Sequence, residues 1–128
     1  MTAHGMFHWN ELMTRDAKKA KDFYGKTLGW TFDDVPMGPG ITYIIIKAGD
    51  EMAGGMMQMD GPDFEGMPDH WTGYIAVDDI DKRVKALKDA GGSVMREPFD
   101  VPDVGRIALV ADPGGAPQGW MTPAQGVS

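Results

Sequence analysis

The sequence predicts an α+β protein built from two βαβββ modules, whose curved sheets pair around a cavity with the helices outside. Three observations lead there. Hydrophobic alternation and helical spacing follow one another in the order strand, helix, three strands, and that order occurs twice. The two rounds open on shared letters at equal spacing, His8-Trp9…Asp16 and His70-Trp71…Asp78, which indicates internal duplication. The 18 Gly and 9 Pro supply the turns that many short strands need. One such module is too small to bury its own sheet, so two must share their apolar faces.

The elements follow in order. Met6 to Met13 alternates as a strand, with Phe7, Trp9 and Glu11 on one face. Thr14 or Asp16 caps a helix whose apolar residues Ala17, Ala20, Phe23, Tyr24 and Leu28 recur at helical spacing, and Gly29 ends it. Phe23, Tyr24, Leu28 and Trp30 are assigned to the core. Strands over Trp30–Val35, Thr42–Ala48 and Gly54–Met59 are separated by Met37-Gly38-Pro39-Gly40 and Gly49-Asp50-Glu51. The first module is thus 6–59. The Gly/Pro/Asp-rich stretch 60–69 reads as a linker or mobile loop. The second module, 70–122, repeats the plan: strand His70–Val77, a helix opened by Asp78-Asp79 and closed by Gly91-Gly92, then strands Ser93–Phe99, Gly105–Ala111 and Gln118–Thr122. A frayed tail, 123–128, completes a single domain of 128 residues.

Composition narrows the function classes. Cysteine is absent, which excludes disulfides, thiolate nucleophiles and cysteine metal sites. The net charge of −7, without a basic stripe, argues against nucleic acid as a partner. No apolar run approaches the ~20 residues of a membrane span, and the start carries no signal-peptide pattern, so the expected location is cytoplasmic. No nucleophile–base–acid set and no phosphate loop is visible. The 11 Met exceed what a core of this size needs. Met56, Met57 and Met59, with Met52 and Met67, form either a soft pocket wall or filler for a loosely packed sheet.

Four pieces carry a resemblance: Trp9-Asn10-Glu11-Leu12-Met13-Thr14-Arg15-Asp16, Phe23-Tyr24-Gly25-Lys26-Thr27-Leu28-Gly29-Trp30, Tyr74-Ile75-Ala76-Val77-Asp78-Asp79 and Ala111-Asp112-Pro113-Gly114-Gly115-Ala116. Together they resemble the vicinal oxygen chelate superfamily of glyoxalase I, bleomycin-resistance proteins and extradiol dioxygenases. The Trp-x-Glu-Leu-x-Thr-x-Asp pattern is similar to its uncharacterised glyoxalase-related branch. The resemblance covers about residues 6 to 122. It implies an open cavity, a homodimer and, in the enzymes, a divalent metal held by one ligand from each of four strands. Carried over position by position, those ligands fall on Trp9, on Met56 to Gln58, on Thr72 and on Gly119. None of these is a good metal ligand except, weakly, Gln58, so the family's metal site is expected to be missing. A one-residue slip would put His8 in the first position, so a metal, if present, would use His8 and Gln58.

The candidate pocket is therefore Trp9, Glu11, Gln58, Thr72, Tyr74, Arg106 and Trp120. Glu11, on the face expected to line the cavity, is either a desolvated carboxylate able to act as acid, base or acceptor, or a structural Glu paired with a cation or backbone N–H. Trp9, Tyr74 and Trp120 offer aromatic walls or ordinary core packing. Arg106 either orients an anionic ligand or sits on the surface. His4, His8 and His70 bind metal, move protons or are structural. The leading expectation is a protein that binds a small aromatic or apolar molecule without a cofactor, by sequestration or by metal-free catalysis through Glu11. The alternative is a lyase, isomerase or dioxygenase dependent on a divalent metal (Mn, Fe, Ni or Zn).

Overall fold

The computed structural model describes residues 3–38, 41–101 and 105–124. Pro39-Gly40 of the expected turn and residues 125–128 of the expected tail lie outside them. Among the described residues, eight strands, two α-helices and a short 3-10 helix (Pro62–Phe64) give an α+β fold, arranged as two compact units, Asn10–Trp71 and Met1–Trp9 with Thr72–Ser128. Each unit repeats one topology.

The Asn10–Trp71 unit contains most of β1 (Phe7–Thr14), then α1 (Ala17–Leu28), β2 (Thr31–Gly38), β3 (Ile41–Ala48) and β4 (Glu51–Gln58). Its strands lie in the order β2-β3-β4-β1, with β1 parallel to β4 and the other neighbours antiparallel. Asp16 accepts from the backbone N–H of Lys19 at 3.1 Å and caps α1, while Gly29, at φ 71°, takes the left-handed conformation that ends it. Ala17, Ala20 and Tyr24 of α1 cover Leu12, Ile44, Ile46 and Met56. β3 thus turns Ile44 and Ile46 toward α1, and Tyr43 and Ile45 away from it.

Two expectations need correction here. Phe23 and Leu28 are both 57% exposed, outside the core. The helix buries the stripe of Ala17, Ala20 and Tyr24. Phe23 lies about 100° round from Tyr24, and Leu28 is the helix's last residue. Tyr24 instead stacks on Trp30 at 5.1 Å, and Trp71 meets both rings edge-on. β4 also begins earlier than expected. The Ala48↔Glu51 pair closes a hairpin on only Gly49 and Asp50, with Gly49 at φ 64°.

The stretch 60–69 is fastened to the start of α1. Thr14 donates its hydroxyl to Asp69 at 2.6 Å, and the backbone N–H of Arg15 donates to the same carboxylate. The Arg15 guanidinium donates to the carbonyls of Met67 and Phe64. The Thr14 hydroxyl, then the Arg15 N–H, hold the Asp69 carboxyl below the usual carboxylate range.

The other unit runs through β5 (His70–Ala76), α2 (Ile80–Asp89), β6 (Ser93–Val101), β7 (Gly105–Ala111) and β8 (Pro117–Pro123). Its order is β5-β8-β7-β6, with β5 parallel to β8, the same plan as the first. The chain start joins it through Gly5 and Met6, both hydrogen-bonded to Ala76. Asp79 caps α2 by accepting from Lys82 N–H. Val77, Ile80, Val84, Leu87, Ala108 and Val110 form the core between α2 and the strands, with Ile75, Val94 and Trp120 against it.

Candidate functional site

Glu11 is 7% exposed, in a run of four consecutive buried residues from Glu11 to Thr14. Leu12 faces α1, so Glu11 and Met13 face the other way. On that face Glu11 is level with Gly55 of β4, and Gly55 with Ile45 of β3; Met13 is level with Met57. The space above Gly55 belongs to Tyr43: a Cβ on Gly55 would lie 1.7 Å from the phenolic oxygen. Tyr43 was not singled out from the sequence. Its only sequence signal was a hydroxylated aromatic in the Ile-rich strand Ile41–Ala48, followed by the Gly54-Gly55 pair. Gln58 is exposed, and its Oε1 accepts from the backbone N–H of Ala17 at 3.0 Å. Its amide nitrogen donates to Asp60. Gln58 therefore satisfies the start of α1.

In the second unit Thr72 and Tyr74 are each 5% exposed and face away from α2. Tyr74 is level with Gly119, and a Cβ on Gly119 would lie 2.4 Å from the Tyr74 ring. Trp120 does not join Tyr74. It is level with Ile75 and Ala108, packs on the α2 side and donates its indole N–H to Gln118 at 2.9 Å. There it lines an open groove of about 440 Å³ with Ile75, Val77, Leu87, His4 and Arg83. Arg106 is also on the α2 side, paired with Asp81 at 3.0 Å and Asp100 at 3.2 Å. The Asp81 and Asp100 carboxylates raise its pKa above the ordinary arginine value. Its charge is thus already answered. Trp9 is half-buried.

Comparison with protein families matches residues 6–117 to the glyoxalase/bleomycin resistance protein/dioxygenase superfamily. The chain belongs to this superfamily. CFP32 of Mycobacterium tuberculosis, provisionally named a glyoxylase, is 41% identical over 120 residues, which are 94% of this chain and 45% of that protein. The anthracycline biosynthesis protein DnrV of Streptomyces peucetius is 37% identical over 125 residues, 89% of this chain and 46% of DnrV. The chain thus spans less than half the length of these curated relatives. Among solved structures, hypothetical protein BH1468 of Bacillus halodurans superposes with a TM-score of 0.70 at 13% identity, covering 97% of this chain and 98% of that one. Methylmalonyl-CoA epimerase of Mycobacterium tuberculosis gives 0.62 at 17%, covering 97% and 93%. At these identities the structures show the shared fold.

The resemblance implies a metal in the superfamily's enzymes, at positions held here by Trp9, Met56 to Gln58, Thr72 and Gly119. Trp9, Thr72 and Gly119 offer no metal-ligand set, the Tyr74 ring fills the space over Gly119, and the Gln58 amide is engaged at α1. Among the described residues no three His, Asp or Glu converge. The histidines are dispersed. His70 Nδ1 lies 2.8 Å from the Pro68 carbonyl, and His4 Nδ1 accepts from the backbone N–H of Asp78.

His8 buries its Nε2 with no hydrogen-bond partner among the described residues. Burial pushes its pKa below the ordinary 6.5. The unfolded chain therefore takes up a proton before the folded one does. The stability that neutral His8 confers is complete above about pH 6.5 and is lost as pH falls through its folded-state pKa. Thermal unfolding from pH 7.5 to 5 is expected to show a steeper fall for the wild type than for His8→Phe. Parallel curves would remove His8 as the cause.

Proposed function

We propose that this chain is a small-molecule-binding member of the superfamily, which takes an aromatic or apolar ligand at the Glu11 face without a metal. The observation that carries this reading is Glu11 itself. It is a buried carboxylate whose neighbours on the same face are Met13, Met57, Ile45 and the Tyr43 phenol. A carboxylate and a phenol set among soft apolar side chains suit a flat molecule that carries a hydroxyl. The relative named for anthracycline biosynthesis supports the aromatic class. The poor fit of the expected metal positions supports independence from a cation.

The test is titration of the full chain with a hydroxyanthraquinone, followed by the dye's visible absorbance and by thermal stability, with and without EDTA. Saturation near one per chain, unaltered by EDTA, is expected, with stabilisation of about 2.7 kcal/mol at a hundredfold excess over Kd. Glu11→Leu should weaken binding at least tenfold. No saturation, or binding that EDTA abolishes, would overturn the reading. The burial of Glu11 also favours metal-free acid–base catalysis. In that case Glu11→Gln would abolish turnover and leave affinity within a few-fold.

A further inference from the structure

We infer that Tyr43 is the positioning residue of Glu11, and that Gly55 is glycine so that the Tyr43 hydroxyl can sit beside that carboxylate. Glycine within a strand weakens it and commonly marks a close approach by another group. Here the approaching group is identified. A Cβ on Gly55 would lie 1.7 Å from Tyr43 Oη, 2.3 Å from Cζ and 2.8 Å from Cε2, so the end of the phenol occupies the position of a side chain.

Gly55 is the strand partner of Glu11. Neighbouring strands lie about 4.8 Å apart, so the hydroxyl is held roughly one strand spacing from the Glu11 backbone, within the span of a glutamate side chain. Phenylalanine would supply the same packing surface. The hydroxyl adds a donor, and a donor to a buried carboxylate stabilises its ionised form and fixes its direction. Among the described residues, Asp33 of β2 and Lys47 of β3, charged groups on the same face, pair with each other at 2.9 Å.

This inference takes from the proposed function only the importance of Glu11, and its test needs no ligand. The full chain, labelled at the glutamate carboxyl carbon, is titrated by NMR as wild type, Tyr43→Phe and Gly55→Ala. Tyr43→Phe removes the donor; Gly55→Ala keeps it and takes away its seat. The Glu11 titration is expected to move to higher pH in both. Tyr43→Phe preserves the ring and is expected to fold, so it carries the test if Gly55→Ala does not. A Glu11 titration unchanged in Tyr43→Phe would overturn the inference. If the anthraquinone fails to bind wild type while this shift is present, the proposed function falls and the Tyr43–Glu11 pairing stands.

Discussion

Replacing Gly119 with glutamate is expected to destabilise the protein and to create no metal site. The superfamily resemblance places a metal-binding carboxylate at this position, so the substitution restores the expected ligand on paper. In this chain the space is taken. Gly119 is buried and level with Tyr74, and its first side-chain carbon would lie 2.4, 2.5 and 2.8 Å from three atoms of that ring. Tyr74 is itself 5% exposed and cannot swing into solvent. Overpacking of this kind costs roughly 1–3 kcal/mol, and a buried carboxylate without a partner adds to that cost. At roughly 4 °C per kcal/mol, thermal unfolding should shift down by about 10 °C or more. Adding Mn²⁺, Ni²⁺ or Zn²⁺ should not recover it. A metal-dependent rise in stability of Gly119→Glu would show that the ring yields and that a cation can be held at this position. The double variant with Tyr74→Ala separates the steric cost from the charge, since it should regain stability only to the extent that the ring was the obstacle.

The repeat was legible because its signals are local. Asp16 and Asp79 both precede an apolar helical stripe and both accept from the N–H three residues on, which sets the two halves one residue out of step with the shared letters His8-Trp9…Asp16 and His70-Trp71…Asp78. Gly29 and Gly91, at φ 71° and 95°, stand where each helix must turn out of its path. Alternation along β1 put Glu11 and Leu12 on opposite faces, and the structure keeps them there. The fastening of 60–69 was not legible. It depends on an arginine reaching carbonyls 49 and 52 residues away, and no local pattern distinguishes that arginine from a solvated one.

The site was less legible for a related reason. Which strand residues stand level with one another is decided between strands distant in sequence, and a one-residue difference reverses every side chain. Tyr74 and Trp120 both looked like cavity walls. Pairing Tyr74 with Gly119 puts Trp120 level with Ile75, on the α2 side. Arg106 goes to that side as well, drawn into an ion pair with Asp81 of α2. Tyr43 escaped notice because its importance comes from the absence of a side chain at Gly55, twelve residues on. Taken singly, neither residue is conspicuous.

Ile46→Ala should cost far more than Leu28→Ala, although helical spacing makes Leu28 look equally central. Ile46 has no exposed surface and packs in the cluster with Leu12, Ala17, Ile44 and Met56. Its removal takes the transfer free energy of the lost carbons and leaves a cavity between α1 and the strands, about 2–5 kcal/mol in all. Leu28 is 57% exposed at the end of α1, where truncation should stay within about 0.5 kcal/mol. Urea unfolding of both variants measures the difference directly, provided the slope with denaturant is unchanged. Equal losses would mean that Leu28 is covered in solution by something other than its own unit. Leu28 would then lie at an interface, and the dependence of the Leu28→Ala effect on protein concentration would reveal whether a second copy of the chain supplies the cover.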